Sequence, residues 1–314
     1  MTNSPSSACL LGALVADAAS LGLHWIYDVD RIKTVAQHHG DSAAFVPLNA
    51  DNFAYVPAFF AHGARSDGML TQYGESLLLA IQSMNASNGL FDREAYQSDF
   101  KSFFGPGGQY QGYIDRPTQG TLDNLAAGQN APSGIDDDQL PAVARVPAII
   151  AALGASNSDA LKTAVEITNV NKDATAYAAV FADLLGRVIA GDPLHSALEE
   201  SANLAADPIQ SLLRDAINSS NNDSIVYGEQ TERACHLPMG MPLAYHIMAH
   251  TQSYAEAVDV NIKAGGDSAG RSIVIGAVLG AAHGINTPKG IPLAWVLKIQ
   301  NAAELWDACQ TLAK

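Results

Sequence analysis

The chain of 314 residues predicts an all-α protein, and three observations carry that expectation. Runs long enough to classify repeat their apolar residues with a helical period. No alternating Val/Ile/Thr pattern of the strand kind recurs along the chain. Alanine is abundant, while aromatic residues make up only 7% of the whole, which suits closely packed helices rather than sandwiched sheets. The length admits one large or two ordinary domains. The most linker-like stretch, "INSSNNDSIVYGEQ", lies too late to bound a second one, so a single domain over 1–314 is expected.

The first helix is expected over residues 7–24, with Asp17 set among Ala, Leu and Val. A carboxylate at that depth needs donors or a cation, because burying it unpaired is costly. A structural aspartate tying helix to loop and a polar cleft both meet that need. His24, Trp25, Tyr27 and Asp28 then cluster in "LHWIYDVDRI", a combination suited to a pocket wall. Residues 38–68, rich in Gly, Pro, Asn and Asp, read as a long loop. Helix restarts near Thr71, with Leu77, Leu78 and Ile81 on its apolar face, and an amphipathic helix covers 93–104.

"FFGPGGQYQGYIDRPTQGTLDNL" is a Gly/Pro-rich loop with no Walker or dinucleotide pattern. Asp136, Asp137 and Asp138 lack the rest of an EF-hand and suit a solvated helix start. Helices are expected over 141–153, 159–166, 175–190 and 194–205, joined by short breaks as in a bundle. His236, His246 and His250 come without an HExxH glutamate or a cysteine pair, so they read as structural or surface histidines. Near the end, "GGDSAGRSIVIGAVLGAAHG" places the cap residues Asp267 and Ser268 ahead of an apolar run. Gly276, Gly280 and Gly284 recur every fourth residue and share one helix face, where another backbone can approach. This predicts a buried central helix whose N-terminus presents Asp267, Ser268 and Arg271 to a cleft. A last amphipathic helix is expected over 293–312.

The formal net charge of −15 argues against nucleic acid or an anionic membrane as partner, since phosphates need compensating cations. The apolar segment 9–23 lacks a basic flank and contains Asp17, which argues against a signal peptide, and it is too short to span a bilayer. Cys9, Cys235 and Cys309 form no CxxC and cannot all pair, so reduced, mostly buried thiols in a cytoplasmic protein are expected.

Four blocks, "GALVADAASLG", "GMLTQYGESLLLA", "YQGYIDRPTQGT" and "GGDSAGRSIVIGAVLGAAHG", stand in the order seen in ADP-ribosylglycohydrolases. The chain resembles that family over nearly its whole length. The resemblance implies a single-domain orthogonal helical bundle whose cleft, in active members, holds two magnesium ions. It also implies cleavage of the glycosidic bond joining ADP-ribose to a side chain or another ribose. The metal positions depart from the pattern of those members. Their Thr-Asp-Asp reads Thr71, Gln72, Tyr73 here, and their Asp-x-Asp-Thr reads Asp267, Ser268, Ala269, Gly270. The acidic position after the first-helix aspartate falls on His24, and a threonine-histidine pair reads Thr168, Asn169. Two dications held close together need several hard oxygen ligands. A two-metal mechanism is therefore not expected, and neither metal nor cofactor is assigned. The same departures, with "HWIYD" and "MPLAYHI", are similar to the branch holding J-type lens crystallins and selenoprotein J.

Two functional readings follow. In the first, a metal-independent glycohydrolase acts on an ADP-ribose-like small molecule, with Asp267 as base or oxocarbenium stabiliser. Glycoside hydrolysis normally uses two carboxyls, so Asp17 or Asp28 would be the second. The catalytic candidates are Asp267, His24 and Asp17. The ligand-binding candidates are Thr71, Gln72, Tyr73, Tyr110, Thr118, Asn169, Ser268 and Arg271. Arg271 would replace the lost cation by gripping a phosphate or carboxylate. In the second reading the protein is non-catalytic and crystallin-like. Arg271 then simply pairs with Asp267, and His24 belongs to a satisfied hydrogen-bond network.

Overall fold

The computed structural model describes residues 4–314. The first half of the bundle is α1 (Pro5–Ser20), α2 (Val29–His38), α3 (Gln72–Ala86), α4 (Arg93–Phe104), α5 (Arg116–Ala126), α6 (Val146–Leu153), α7 (Ser158–Glu166) and α8 (Lys172–Ala190). The second is α9 (Leu194–Ala202), α10 (Ile209–Ile217), α11 (Ser224–Gln230), α12 (Leu237–His250), α13 (Tyr254–Lys263), α14 (Ser268–His283), α15 (Leu293–Val296) and α16 (Ala302–Leu312). Among the described residues, β structure is confined to isolated bridges, and no helix is long and apolar enough to cross a membrane.

The two central helices, α1 and α14, are buried on every side, which is why neither shows a polar face. They touch through glycine. A Cβ on Gly276 would lie 2.4 Å from the carbonyl oxygen of Gly12, and one on Gly280 would lie 2.3 Å from that of Ala8. Only hydrogen fits there, so the backbones meet. Gly284 does not share this contact: it is the C-cap of α14, at φ +72°, a conformation that favours glycine. Tyr254 of α13 fastens the same region by donating its hydroxyl to the Gly12 carbonyl at 2.6 Å.

Several expected boundaries shift for local reasons. The first helix stops at Ser20, and residues 21–25 form turns leading to Trp25 at φ +68°. The segment 141–153 splits into a 3₁₀ turn, Leu140–Val143, and α6. The last expected helix, 293–312, splits into α15 and α16 at Asn301, whose φ of +55° is incompatible with a continuous helix. The Gly/Pro-rich stretch contains α5, opened by Asp115 as N-cap and Pro117 in the first turn. α2, α10, α11, α12 and α13 also form where no helix is predicted, α11 within the linker-like stretch, and α12 accommodates Pro242 in its interior. The 38–68 segment is irregular as expected, apart from a short 3₁₀ turn at Ala50–Phe53.

The acidic triplet is not a solvated helix start. Asp137 is buried and pairs with Arg116 at 2.6 Å, while Asp138 contacts His236 at 2.6 Å. His246 is structural: its ring lies between the Ser224 hydroxyl and the Asn221 carbonyl, at 2.8 Å from each. The thiols of Cys9 and Cys309 are buried, whereas Cys235 is partly exposed.

Candidate functional site

Asp267 is the N-cap of α14, and the amide of Gly270 donates to its Oδ1 at 2.9 Å. Gly265 and Gly266, both at positive φ, turn the chain into the helix. A Cβ on Gly266 would lie 2.0 Å from the Arg233 carbonyl oxygen, so that turn requires glycine. The same glycine exchanges backbone hydrogen bonds with the segment after α1. The Trp25 amide donates to the Gly266 carbonyl, and the Gly266 amide donates to that of Ile26. This pairing brings His24 to the helix start.

His24 Nε2 lies 2.9 Å from Asp267 Oδ1, and the Tyr73 hydroxyl, from the first turn of α3, donates to Oδ2 at 2.6 Å. All three side chains are buried. Burial alone would raise the Asp267 pKa. The His24 contact, the Tyr73 hydroxyl and the Gly270 amide overcome it and hold the carboxyl below its ordinary range. Asp267 is therefore an ionised carboxylate at neutral pH. Burial and the neighbouring Asp267 charge push the Tyr73 phenol well above its usual value, which keeps it a donor.

The other nitrogen of His24, Nδ1, lies 2.7 Å from His62 Nε2. Aromatic rings cover this chain. Trp25 stacks on His24 at 4.3 Å between centroids, while Phe59 and Tyr113 stand against Trp25 at 5.7 Å and 5.0 Å. Phe59 remains half exposed. Two buried polar atoms in this neighbourhood have no hydrogen-bond partner, His62 Nδ1 and Ser268 Oγ.

A second knot sits at the start of α3. Gln72 bridges to α5: its amide nitrogen donates to Asp115 and, at 2.6 Å, to Thr118, and its oxygen accepts from the Asp115 amide at 2.8 Å. Burial pushes Asp115 up to about 6 against the lowering effect of Thr118, and Asp137 and Asp267 push it the same way as burial. The half-buried Cys235 thiol is raised to about 12 by burial and by the charges of Asp267, Asp137 and Asp115. Both effects disfavour the thiolate, the nucleophilic form. Asn169 approaches the same carboxylates, donating to the Asp137 carbonyl at 2.9 Å, and Thr168 joins it to the buried Arg145.

The structure thus brings together Asp267, His24 and Tyr73, with Ser268 adjoining, and brings Gln72 and Thr118 to Asp115. Other expected residues lie elsewhere. Asp17 accepts the Thr71 amide at 2.7 Å and the Thr71 hydroxyl at 2.5 Å, tying α1 to the start of α3. Both its oxygens are engaged there, which is the structural role of the two weighed for it. Asp28 caps α2 by accepting the Arg31 amide at 2.8 Å. Tyr110 is buried beneath Arg65 and donates to the Tyr113 carbonyl at 3.1 Å.

Arg271 faces inward and, like Asp267 and Ser268, is wholly buried rather than presented to a cleft as expected. Its Nε donates to Asn261 Oδ1 at 2.8 Å, and its terminal nitrogens reach the carbonyls of Gly265 at 2.6 Å and Arg233 at 3.3 Å. Wholly buried and committed to these acceptors, it forms no ion pair with Asp267 and offers no group to an anion. Two members of the site escaped the sequence reading. Asp115 had a signal, the "DRPT" helix start, in which an Asp cap precedes an early proline. His62 stands in an irregular loop with no motif around it.

A profile of ADP-ribosylglycohydrolases matches residues 6–314. Crystallin J1A of Tripedalia cystophora is 24% identical over 98% of this chain and 96% of its own length. Crystallin J1B of the same animal is 23% identical over 96% and 94%. Among solved structures, an ADP-ribosylglycohydrolase-related protein complex superposes with a TM-score of 0.72 at 16% identity, covering 99% of this chain and 97% of that one; the likeness is one of fold. With the profile spanning both the α1/α14 pair and the polar knot at its end, the chain belongs to the ADP-ribosylglycohydrolase family.

Proposed function

We propose that this chain binds an ADP-ribose-like ligand without magnesium, and that internal hydrogen-bond donors have replaced the metal ions. The observation that carries the reading is the state of Asp267. Its two oxygens already meet the Gly270 amide, His24 and Tyr73. The latter two occupy positions where the resemblance puts acidic ligands. The other positions are engaged as well: the Thr71 hydroxyl donates to Asp17, and Gln72 bridges Asp115 and Thr118. Among the described residues, no group of three or more His, Cys, Asp or Glu side chains is placed to hold a metal ion. A pair of magnesium ions requires several free, hard oxygen ligands. The donor set does not fit, and no chemical step is routed through a metal.

For cleavage of a glycosidic bond, the useful pair is Asp267 and Asp115: Asp17 is raised likewise, but Asp115 also feels the Asp267 charge. Asp267 is held below the ordinary carboxylate range, whereas Asp115 is raised to about 6. Carboxyls driven in opposite directions suit an acid and a charge stabiliser. Asp115 would protonate the leaving oxygen while Asp267 stabilises the developing oxocarbenium ion; water would then add to the anomeric carbon and return its proton to Asp115. A second reading, a crystallin-like protein without turnover, is favoured by one feature: Asp267 and His24 are buried and their partners satisfy them.

Thermal melting separates these readings, because a ligand that binds only the native state raises the midpoint. ADP-ribose is expected to raise it equally with EDTA or magnesium present. A rise that requires magnesium would refute the reading, and no rise under either condition favours the structural alternative. Release of ADP-ribose from a ribosylated substrate in EDTA then tests the Asp267–Asp115 chemistry.

A further inference from the structure

One face of α3 borders a cavity apart from the polar knot at the start of α14. Glu75, Leu79 and Ser83 recur every fourth residue along that face. At 1.5 Å per residue the stripe from Glu75 to Ser83 is about 12 Å long. It floors a cavity of about 360 Å³, and α4 supplies the facing wall through Asp99 and Phe103. That volume lies in the usual range of small-molecule sites, about 300–1,000 Å³.

Polar groups along the cavity are left without partners. Glu75 gives Oε1 to the Arg65 guanidinium, but its Oε2 receives no hydrogen bond. Arg65 cannot serve both oxygens, because its remaining donors are spent on the carbonyls of Leu70 and Gln111. Burial raises the Glu75 pKa more than Arg65 lowers it, so a further cation at the free oxygen would be stabilising. Ser83 is only 6% exposed, yet its hydroxyl makes no hydrogen bond, not even with the carbonyl one turn back. A buried polar group left open in this way usually awaits water or a ligand. Across the cavity Asp99 is exposed, and among the described residues no cation pairs with it.

We propose that the cavity between α3 and α4 binds a linear aliphatic polyamine, with one ammonium at Glu75 Oε2 and another toward Asp99. An ammonium group offers donors only, which suits a carboxylate oxygen and a hydroxyl free to rotate. The methylene chain would lie over Leu78, Leu79 and Phe103, which give the cavity its apolar surface. An anion would meet two carboxylates, since no Lys, Arg or His lines the cavity. A metal ion fits no better, because no group of three or more ligating side chains is formed among the described residues. The net charge of −15 favours the approach of a polycation but does not choose a site, which the unpaired groups do. The proposal is independent of the ADP-ribose reading and shares no residue with it.

The test is calorimetric titration of the full chain with spermidine in about 150 mM salt, where loose surface attraction is screened. NMR of the leucine methyl groups accompanies it. Saturable binding at one site is expected, with the Leu78 and Leu79 methyl resonances moving. Ser83→Leu fills the cavity and leaves the Glu75–Arg65 pair intact; it should weaken binding about tenfold or more. Asp99→Asn, at an exposed position, should weaken it about threefold. Asp159→Asn removes an exposed acid from α7 and should leave the affinity unchanged. Glu75→Gln should weaken binding about tenfold, but it also frees Arg65, so Ser83→Leu and Asp99→Asn carry the test.

Absence of saturable binding, or binding that leaves both leucine methyl resonances unmoved, would overturn the proposal. So would Ser83→Leu and Asp99→Asn variants that bind as tightly as wild type. Equal binding of adipate, which carries carboxylates in place of ammonium groups, would refute the charge assignment. If Asp159→Asn weakens binding as much as Asp99→Asn, the attraction is that of the whole acidic surface and the site fails.

Discussion

Helix α14 meets its neighbours in two different ways at its two ends. Toward the C-terminus it touches α1 backbone to backbone, through Gly276 and Gly280 against Gly12 and Ala8. At the N-terminus it touches side chains drawn from distant parts of the chain: His24, Tyr73 and, through His24, His62. The first contact is steric and tolerates no added atom. The second is a set of directed hydrogen bonds around one charge, where shape can be kept while chemistry is changed. The glycine end therefore governs whether the bundle forms, and the aspartate end is where the proposed function would reside.

The sharpest way to break the contrast is Gly276→Leu. With even a Cβ only 2.4 Å from the Gly12 carbonyl oxygen, the two central helices must separate. A loss of about 3 kcal/mol or more is expected in urea denaturation, together with low soluble yield. Asp267→Asn changes no volume but removes the charge on which His24, Tyr73 and the Gly270 amide converge. It should cost on the order of 3 kcal/mol, since a buried charged network loses its centre, and it should abolish stabilisation by ADP-ribose. A variant as stable as wild type would show that the knot contributes no more than its packing.

The polar half also makes stability depend on pH. Asp17, raised by burial to about 7 from an ordinary 3.8, binds its proton more tightly folded than unfolded. Between about pH 4 and pH 7 the native state thus carries more protons, and stability falls as pH rises through that window. Asp115, raised to about 6, acts in the same sense. Asp267 is lowered, so its contribution is present above the unfolded value and lost only as pH falls through its folded one. Asp17→Asn mimics the protonated form and should flatten the fall by roughly 2 kcal/mol, read from urea midpoints at pH 5 and pH 7.5. No flattening would remove Asp17 as the cause. The smallest effect belongs to Arg116→Met. Its guanidinium is mostly exposed while pairing with the buried Asp137, and less than about 1 kcal/mol should be lost.

The same contrast explains what could be read in advance. Gly276 and Gly280 announce themselves by local spacing, and the cap at Asp267 by residue type, because both signals lie within a few consecutive residues. The apolar face of Leu77, Leu78 and Ile81 likewise puts the start of α3 near Thr71, which is its N-cap. The aspartate end is assembled from positions up to 243 residues apart in the chain, so composition and period carry no trace of it. The family pattern located His24 and Tyr73, but direction had to come from coordinates. Arg271, adjacent to the site in sequence, faces the carbonyls of Arg233 and Gly265, and Asp17 spends both oxygens on Thr71. His62 could not be anticipated, because a histidine in an irregular segment is placed only by the ring that stacks beside it.

The carbonyl of Arg233 receives both the Asp267 amide and a nitrogen of Arg271. That fastening lies beyond the polar surface stretch at 218–223, which precedes α11. Within that stretch Asn221 is itself fastened to the His246 ring and Asp223 caps α11, so a change in length is absorbed ahead of them, at 218–220, and the entry to α14 keeps its register.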